Sequence, residues 1–145
     1  MSTPLSSFSA DVARLAATAA ASTVTIGRHG RGSGIVIGTD EVLTNAHTLR
    51  DRTTAVTLPD GTEVQAELVA ADPHGDLAVL KVATGEVPVL PIGAAGALGS
   101  IVVSAGGGRG NPRVALGVIG SVDRRFRGPG GHPGGGAFEP DAAPP

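Results

Sequence analysis

From Thr23 onward, β-branched and aliphatic residues come in short runs broken by Gly, Pro and Asp. The runs are Thr23–Ile26, Gly34–Ile37, Glu41–Asn45, Thr54–Leu58, Val64–Ala71, Leu77–Val82, Val87–Pro91, Ile101–Ala105 and Val114–Val122. Gly38-Thr39-Asp40, Pro59-Asp60-Gly61 and Asp72-Pro73 lie between runs and carry turn chemistry, because Gly and Asp tolerate left-handed backbone and Pro presets φ. The stretch from Val56 to Val64 predicts a β-hairpin turning at Asp60-Gly61. Many short strands with almost no helix between them predict an all-β fold, an antiparallel barrel or sandwich. Residues 1–22 follow a different pattern. Ser9 as a cap, then Asp11, Val12, Leu15 and an alanine-rich run, predict a short amphipathic helix. A secretion signal places basic residues ahead of its apolar stretch, whereas here Arg14 lies inside the stretch and Asp11 precedes it. A leaderless start is expected, with the cytoplasm as the default location.

Composition narrows the chemistry. The chain has 145 residues, 41% hydrophobic, 17% charged and only 2% aromatic, so a core must be built from Val, Leu, Ile and Ala. There is no cysteine, which excludes disulfides, thiolate-held zinc and thiol catalysis. A net charge of −2 with a single lysine, Lys81, is a poor match for a phosphate backbone, so no nucleic-acid partner is expected. No apolar run reaches the length of a membrane span. In residues 124–145, six Gly and five Pro leave too little apolar surface to offset the entropy of ordering, which predicts a disordered tail. The cluster Arg124, Arg125 and Arg127 reads as solvated surface.

Two residues stand out as candidates for catalysis. His47 follows the apolar run that ends in Leu43-Thr44-Asn45-Ala46, and Asp76 stands immediately before the run Leu77-Ala78-Val79-Leu80. An imidazole can act as a general base, and a carboxylate bonded to its far nitrogen fixes tautomer and orientation. The two lie far apart in sequence, so only a fold can bring them together. His29, His74 and His132 show no metal-ligand spacing, and no metal site is expected. The run Gly106-Gly107-Gly108-Arg109-Gly110 lacks the Lys-Ser/Thr pair of a phosphate loop, so no nucleotide or other cofactor is expected.

In context these residues carry a resemblance. Gly32-Ser33-Gly34, then Leu43-Thr44-Asn45-Ala46-His47, then Asp72-Pro73 with Asp76-Leu77-Ala78-Val79-Leu80-Lys81, resemble the trypsin-like serine peptidases, in particular their HtrA/Deg-like branch. The similarity extends through Leu58-Pro59-Asp60-Gly61, Val89-Leu90-Pro91-Ile92-Gly93, Ser104-Ala105-Gly106 and Asn111-Pro112 to the run ending at Val122. It implies a double β-barrel acting on polypeptides, with His47 as general base and Asp76 as its orienting partner. It also divides the chain: a helical segment 1–22, a first barrel 23–96, the start of a second barrel 97–123, and the tail 124–145.

The sequence departs from the family at the nucleophile. No Gly-x-Ser-Gly-Gly occurs, and the last serine, Ser121, sits in a strand-like run. Ser104 belongs by the resemblance to an early strand of the second barrel, and Ser33 reads as a turn residue between two glycines. Barrels of this type need roughly 200 residues as one domain. The first barrel is therefore expected complete and the second only begun, in a serine endopeptidase lineage inactive as this chain alone. Missing strands would come from a second chain or oligomer. The alternative is a non-catalytic binding or regulatory barrel, or a fragment without function. The abrupt change in composition after Arg127 is what a frameshift in a gene rich in G and C would produce; the alternatives are a truncation or a genuine low-complexity tail.

Overall fold

The computed structural model describes residues 3–30, 32–50, 53–107, 111–122, 124–127 and 133–137. The chain opens with α1 (Pro4–Ala21). Its start lies earlier than Ser9: Thr3 is the N-cap, its hydroxyl accepts the Ser6 N–H at 3.2 Å, and Pro4 takes the first turn, where a missing N–H costs nothing. No residue of α1 is buried, and the helix lies along two later strands, Ile101–Gly106 and Arg113–Val118.

Six strands follow: β1 (Thr23–Ile26), β2 (Gly32–Gly38), β3 (Glu41–Thr44), β4 (Thr53–Thr57), β5 (Glu63–Asp72) and β6 (Leu77–Val82). They close into an antiparallel barrel in the order β1-β2-β3-β6-β5-β4, so none presents an open edge. Alternation aims one face of each strand inward. Ala78, Leu80 and Val82 of β6 are buried while Lys81 between them is exposed. Leu80 and Val82 form one aliphatic core with Val24, Ile26, Val36, Val42, Val56, Leu58 and Ala66. Each fully buried Val, Leu or Ile contributes about 1.5–3 kcal/mol. The hairpin at Asp60-Gly61 forms as its turn chemistry predicts: Gly61 has φ 88°, and the Asp60 carboxylate accepts the Thr62 N–H at 2.8 Å.

The run 87–91 is not a strand. Pro88 and Pro91 have no N–H to give a ladder, and the segment is a strap joined to β2 by one bond, Leu90 N–H to the Val36 carbonyl at 2.8 Å. The strap is anchored where it leaves β6. Asp40, at φ 57°, accepts the Thr84 N–H at 3.0 Å, and its own N–H donates to the Thr84 hydroxyl at 3.3 Å.

Beyond the strap, β7 (Ile101–Gly106) and β8 (Arg113–Val118) pair with each other alone, as a two-stranded sheet. The first barrel is complete and the second is represented by this single pair. Within the Gly/Pro-rich stretch, where composition predicts disorder, β9 (Arg124–Arg127) and β10 (Pro133–Ala137) pair antiparallel. Such a ribbon needs only backbone bonds, which an argument from apolar burial does not weigh. Residues 128–132 and 138–145 of the expected tail lie outside the described residues.

Candidate active site

β3 and β6 are antiparallel neighbours, with Thr44 opposite Ala78. The residues just after β3 therefore face those just before β6, and this register brings His47 to Asp76. The chain leaves β3 through Asn45 into a single 3-10 turn, Ala46–Thr48, which lifts the His47 ring above the barrel end. Asp76 sits at φ 54°, a left-handed conformation Asp tolerates better than most residues, and this reverses the chain into β6. The Ala46 N–H donates to the Asp76 carbonyl at 3.2 Å and ties the two segments together.

The side chains meet in a two-point grip. One Asp76 oxygen, Oδ1, accepts the His47 backbone N–H at 2.9 Å, and the other, Oδ2, lies 2.5 Å from His47 Nδ1. An ionised carboxylate only accepts, so Nδ1 donates to it, and Nε2 is the ring nitrogen directed away from the aspartate. The Asn45 amide donates to the Asp76 carbonyl at 3.2 Å and to Oδ2 at 3.4 Å. Partial burial pushes the Asp76 carboxyl up. The His47 N–H, the ring contact and charge of His47, and the Asn45 amide outweigh it and hold the carboxyl below its ordinary value. The pair is open to water: the His47 side chain is 71% exposed and that of Asp76 41%. Beside it lies a cleft of about 460 Å³, floored by Leu49, Leu68, Ala71 and Pro73 with Arg50 at its rim.

The serines fall elsewhere. Ser33 is in β2 rather than a turn, and its hydroxyl accepts the Gly107 N–H at 2.8 Å. Ser104 lies in β7, lining a second cleft with Gly96, Ile101 and Ile119. Sequence reasoning assigned no role to Asn45 or Thr48, although Asn45 lies inside the motif that contains His47. Among the described residues no three His, Asp or Glu side chains converge as a metal site. Of the glycine run 106–110, Gly106 ends β7 and Gly107 is buried against β1, while residues 108–110 lie outside the described residues.

The described residues thus present a closed six-stranded barrel with a histidine–aspartate pair at the mouth of β3 and β6. The sequence matches the trypsin-like peptidase domain family over residues 32–144, and the chain belongs to that family. The match continues past Arg127, across the change in composition. Relatives place the chain in the HtrA/Deg branch. It is 40% identical over 98 residues to the mitochondrial serine protease HTRA2 of Bos taurus, covering 59% of this chain and 21% of that protein. It is 36% identical over 100 residues to HhoB of Synechocystis sp., covering 66% and 24%. Against a DegP-like periplasmic serine endoprotease of Bartonella henselae the identity is 53% over 53 residues, covering 35% and 10%. The chain thus spans a quarter or less of the length of these relatives. In three dimensions it is similar to the MamO protease domain of Magnetospirillum magneticum, with a TM-score of 0.70 and 22% identity, covering 81% of this chain and 69% of that domain.

Proposed function

We propose that this chain carries the base half of a serine endopeptidase site, with His47 as general base, Asp76 as its orienting partner and a polypeptide as substrate. The observation that carries the reading is the two-point grip of Asp76 on His47, which leaves Nε2 as the one ring nitrogen able to take a proton. In that chemistry Nε2 removes the proton of a serine hydroxyl as the oxygen attacks the scissile carbonyl. It then returns the proton to the leaving amine, and Asp76 stabilises the imidazolium in between. The cleft floored by Leu49, Leu68, Ala71 and Pro73 is wide enough for an apolar substrate side chain beside the reacting bond. The nucleophile and the oxyanion hole come from polypeptide outside these 145 residues, since no Gly-x-Ser-Gly-Gly occurs in them. The unpaired β7–β8 sheet is where the strands bearing that motif would add.

The test is labelling by a serine-directed fluorophosphonate. The chain alone is expected to remain unlabelled. The chain joined to, or mixed with, a relative's segment carrying Gly-x-Ser-Gly-Gly is expected to label and to cleave an unfolded protein substrate. In that assembly His47→Ala and Asp76→Asn should each lower the rate by about 10⁴-fold. An assembly that folds and labels equally well with His47→Ala would remove the base assignment and leave a binding barrel as the better reading.

A further inference from the structure

The first two residues of β2, Gly32 and Ser33, are held from two sides. On one side the Gly107 N–H, just past β7, donates to Ser33 Oγ at 2.8 Å. Gly107 is seated so deeply that a Cβ there would lie 2.5 Å from Thr25 Oγ1 and 2.7 Å from the Val24 carbonyl. On the other side is the turn that bears His47. The buried Thr44 hydroxyl donates to the Ser33 carbonyl at 2.8 Å. The Thr48 side chain rests on Gly32 so closely that a Cβ there would meet Thr48 Cγ2 at 2.8 Å. Thr48 in turn donates to the Asn45 carbonyl at 2.7 Å, and Asn45 binds Asp76. Each threonine has one hydroxyl proton, and both are used in these bonds. The 3.4 Å approach of Thr44 Oγ to Thr48 Oγ is therefore packing rather than a further link. A short rigid segment thus touches the end of β7 on one side and the His47 turn on the other.

We infer that Gly32, Ser33 and Thr48 form a positioning bracket through which the seating of β7 on the barrel sets the orientation of the His47 ring. None of the three touches a reacting atom; they act through the turn at 46–48. The two states are the Ser33–Gly107 bond made and broken. When it breaks, β2 loses its outer support, the turn gains freedom, and Asp76 loses its hold on Nδ1. The inference rests on His47 being the base, and it makes the competence of the base depend on whether the second half of the fold is in place.

Ring-nitrogen and amide NMR of the whole chain tests this, with His47 tautomer shifts and Gly107 amide exchange as readouts. Ser33→Ala is expected to speed exchange at Gly107 roughly fivefold, the loss of one net hydrogen bond. It should also raise the minor Nε2–H tautomer of His47 severalfold. Gly32→Ala should disturb the ring in the same way, and Thr48→Ser on that background, which removes the clashing methyl but keeps the hydroxyl, should restore it in part. Thr84→Val, at the distant anchor of the strap, should leave the ring signals unchanged although it destabilises the barrel. Faster exchange at Gly107 in Ser33→Ala with unchanged His47 signals overturns the bracket. Ser33→Ala removes a single oxygen, so it carries the test even if Gly32→Ala does not fold. The readouts need no nucleophile: a coupled ring in a chain whose assembled form never labels would support the bracket and remove only the peptidase reading.

Discussion

Asp76 shows how much of the site rests on one residue. Its carboxylate takes donors from His47 twice and from Asn45, and these keep its folded-state value below that of the unfolded chain. The sign follows from linkage. The folded protein binds fewer protons than the unfolded one, so the grip stabilises fully above about pH 4 and is lost as pH falls through the lower folded value. With the side chain 41% exposed, solvent screening limits the effect to on the order of 0.5 kcal/mol. Urea midpoints at pH 7 and pH 3 should therefore differ more in the natural protein than in Asp76→Asn. At this scale the sequence was partly legible. A histidine after one apolar run and an aspartate before another mark strand ends, where a barrel exposes side chains. The left-handed backbone of Asp76 and the bond from Gly107 to Ser33 arise only from tertiary closure. A serine between two glycines looks like a turn until pairing with Thr25 of β1 makes it part of a strand.

The strands of the barrel were legible because their apolar runs end at residues with special backbone needs, as at Asp60-Gly61. Two elements were misread for related reasons. The run 87–91 is as apolar as a strand, but its two prolines leave it with a single bond to β2. The helix starts at Thr3-Pro4 because a proline at the first helical position is favourable, an alternative the capping serine at position 9 obscured. The barrel's weak points are its close approaches. A Cβ on Gly34 would stand 2.7 Å from Val42 Cγ1 and 3.1 Å from the Leu43 carbonyl, and the backbone oxygen cannot move aside cheaply. Gly34→Ala should cost about 1–3 kcal/mol, read as a lower thermal midpoint. Thr84→Val removes the hydroxyl that caps the Asp40 N–H and should cost about 1 kcal/mol in the same assay.

Taken whole, the molecule is uneven. The first barrel satisfies its own backbone, whereas the β7–β8 pair leaves Ile101, Val114, Leu116 and Val118 exposed on one face. Ile101 lies opposite Val118, Val103 opposite Leu116 and Ala105 opposite Val114, and Leu116 is 48% exposed. Exposed apolar residues grouped in this way promote association. In dilute solution the chain should bind a hydrophobic dye and self-associate as its concentration rises. Leu116→Lys should suppress both without lowering the melting temperature of the barrel, as light scattering and dye fluorescence will report. That the second half would be left open was legible from length and from the missing nucleophile motif. Which residues form the open face required the register. The closed barrel has a consequence for how such a protein is made. His47, Asp76 and every strand that holds them lie between residues 23 and 82, so the unit is ready to fold while translation of later residues is still under way. On the reading proposed above, the residues of the base are thus made before β7 arrives to seat the bracket that orients them.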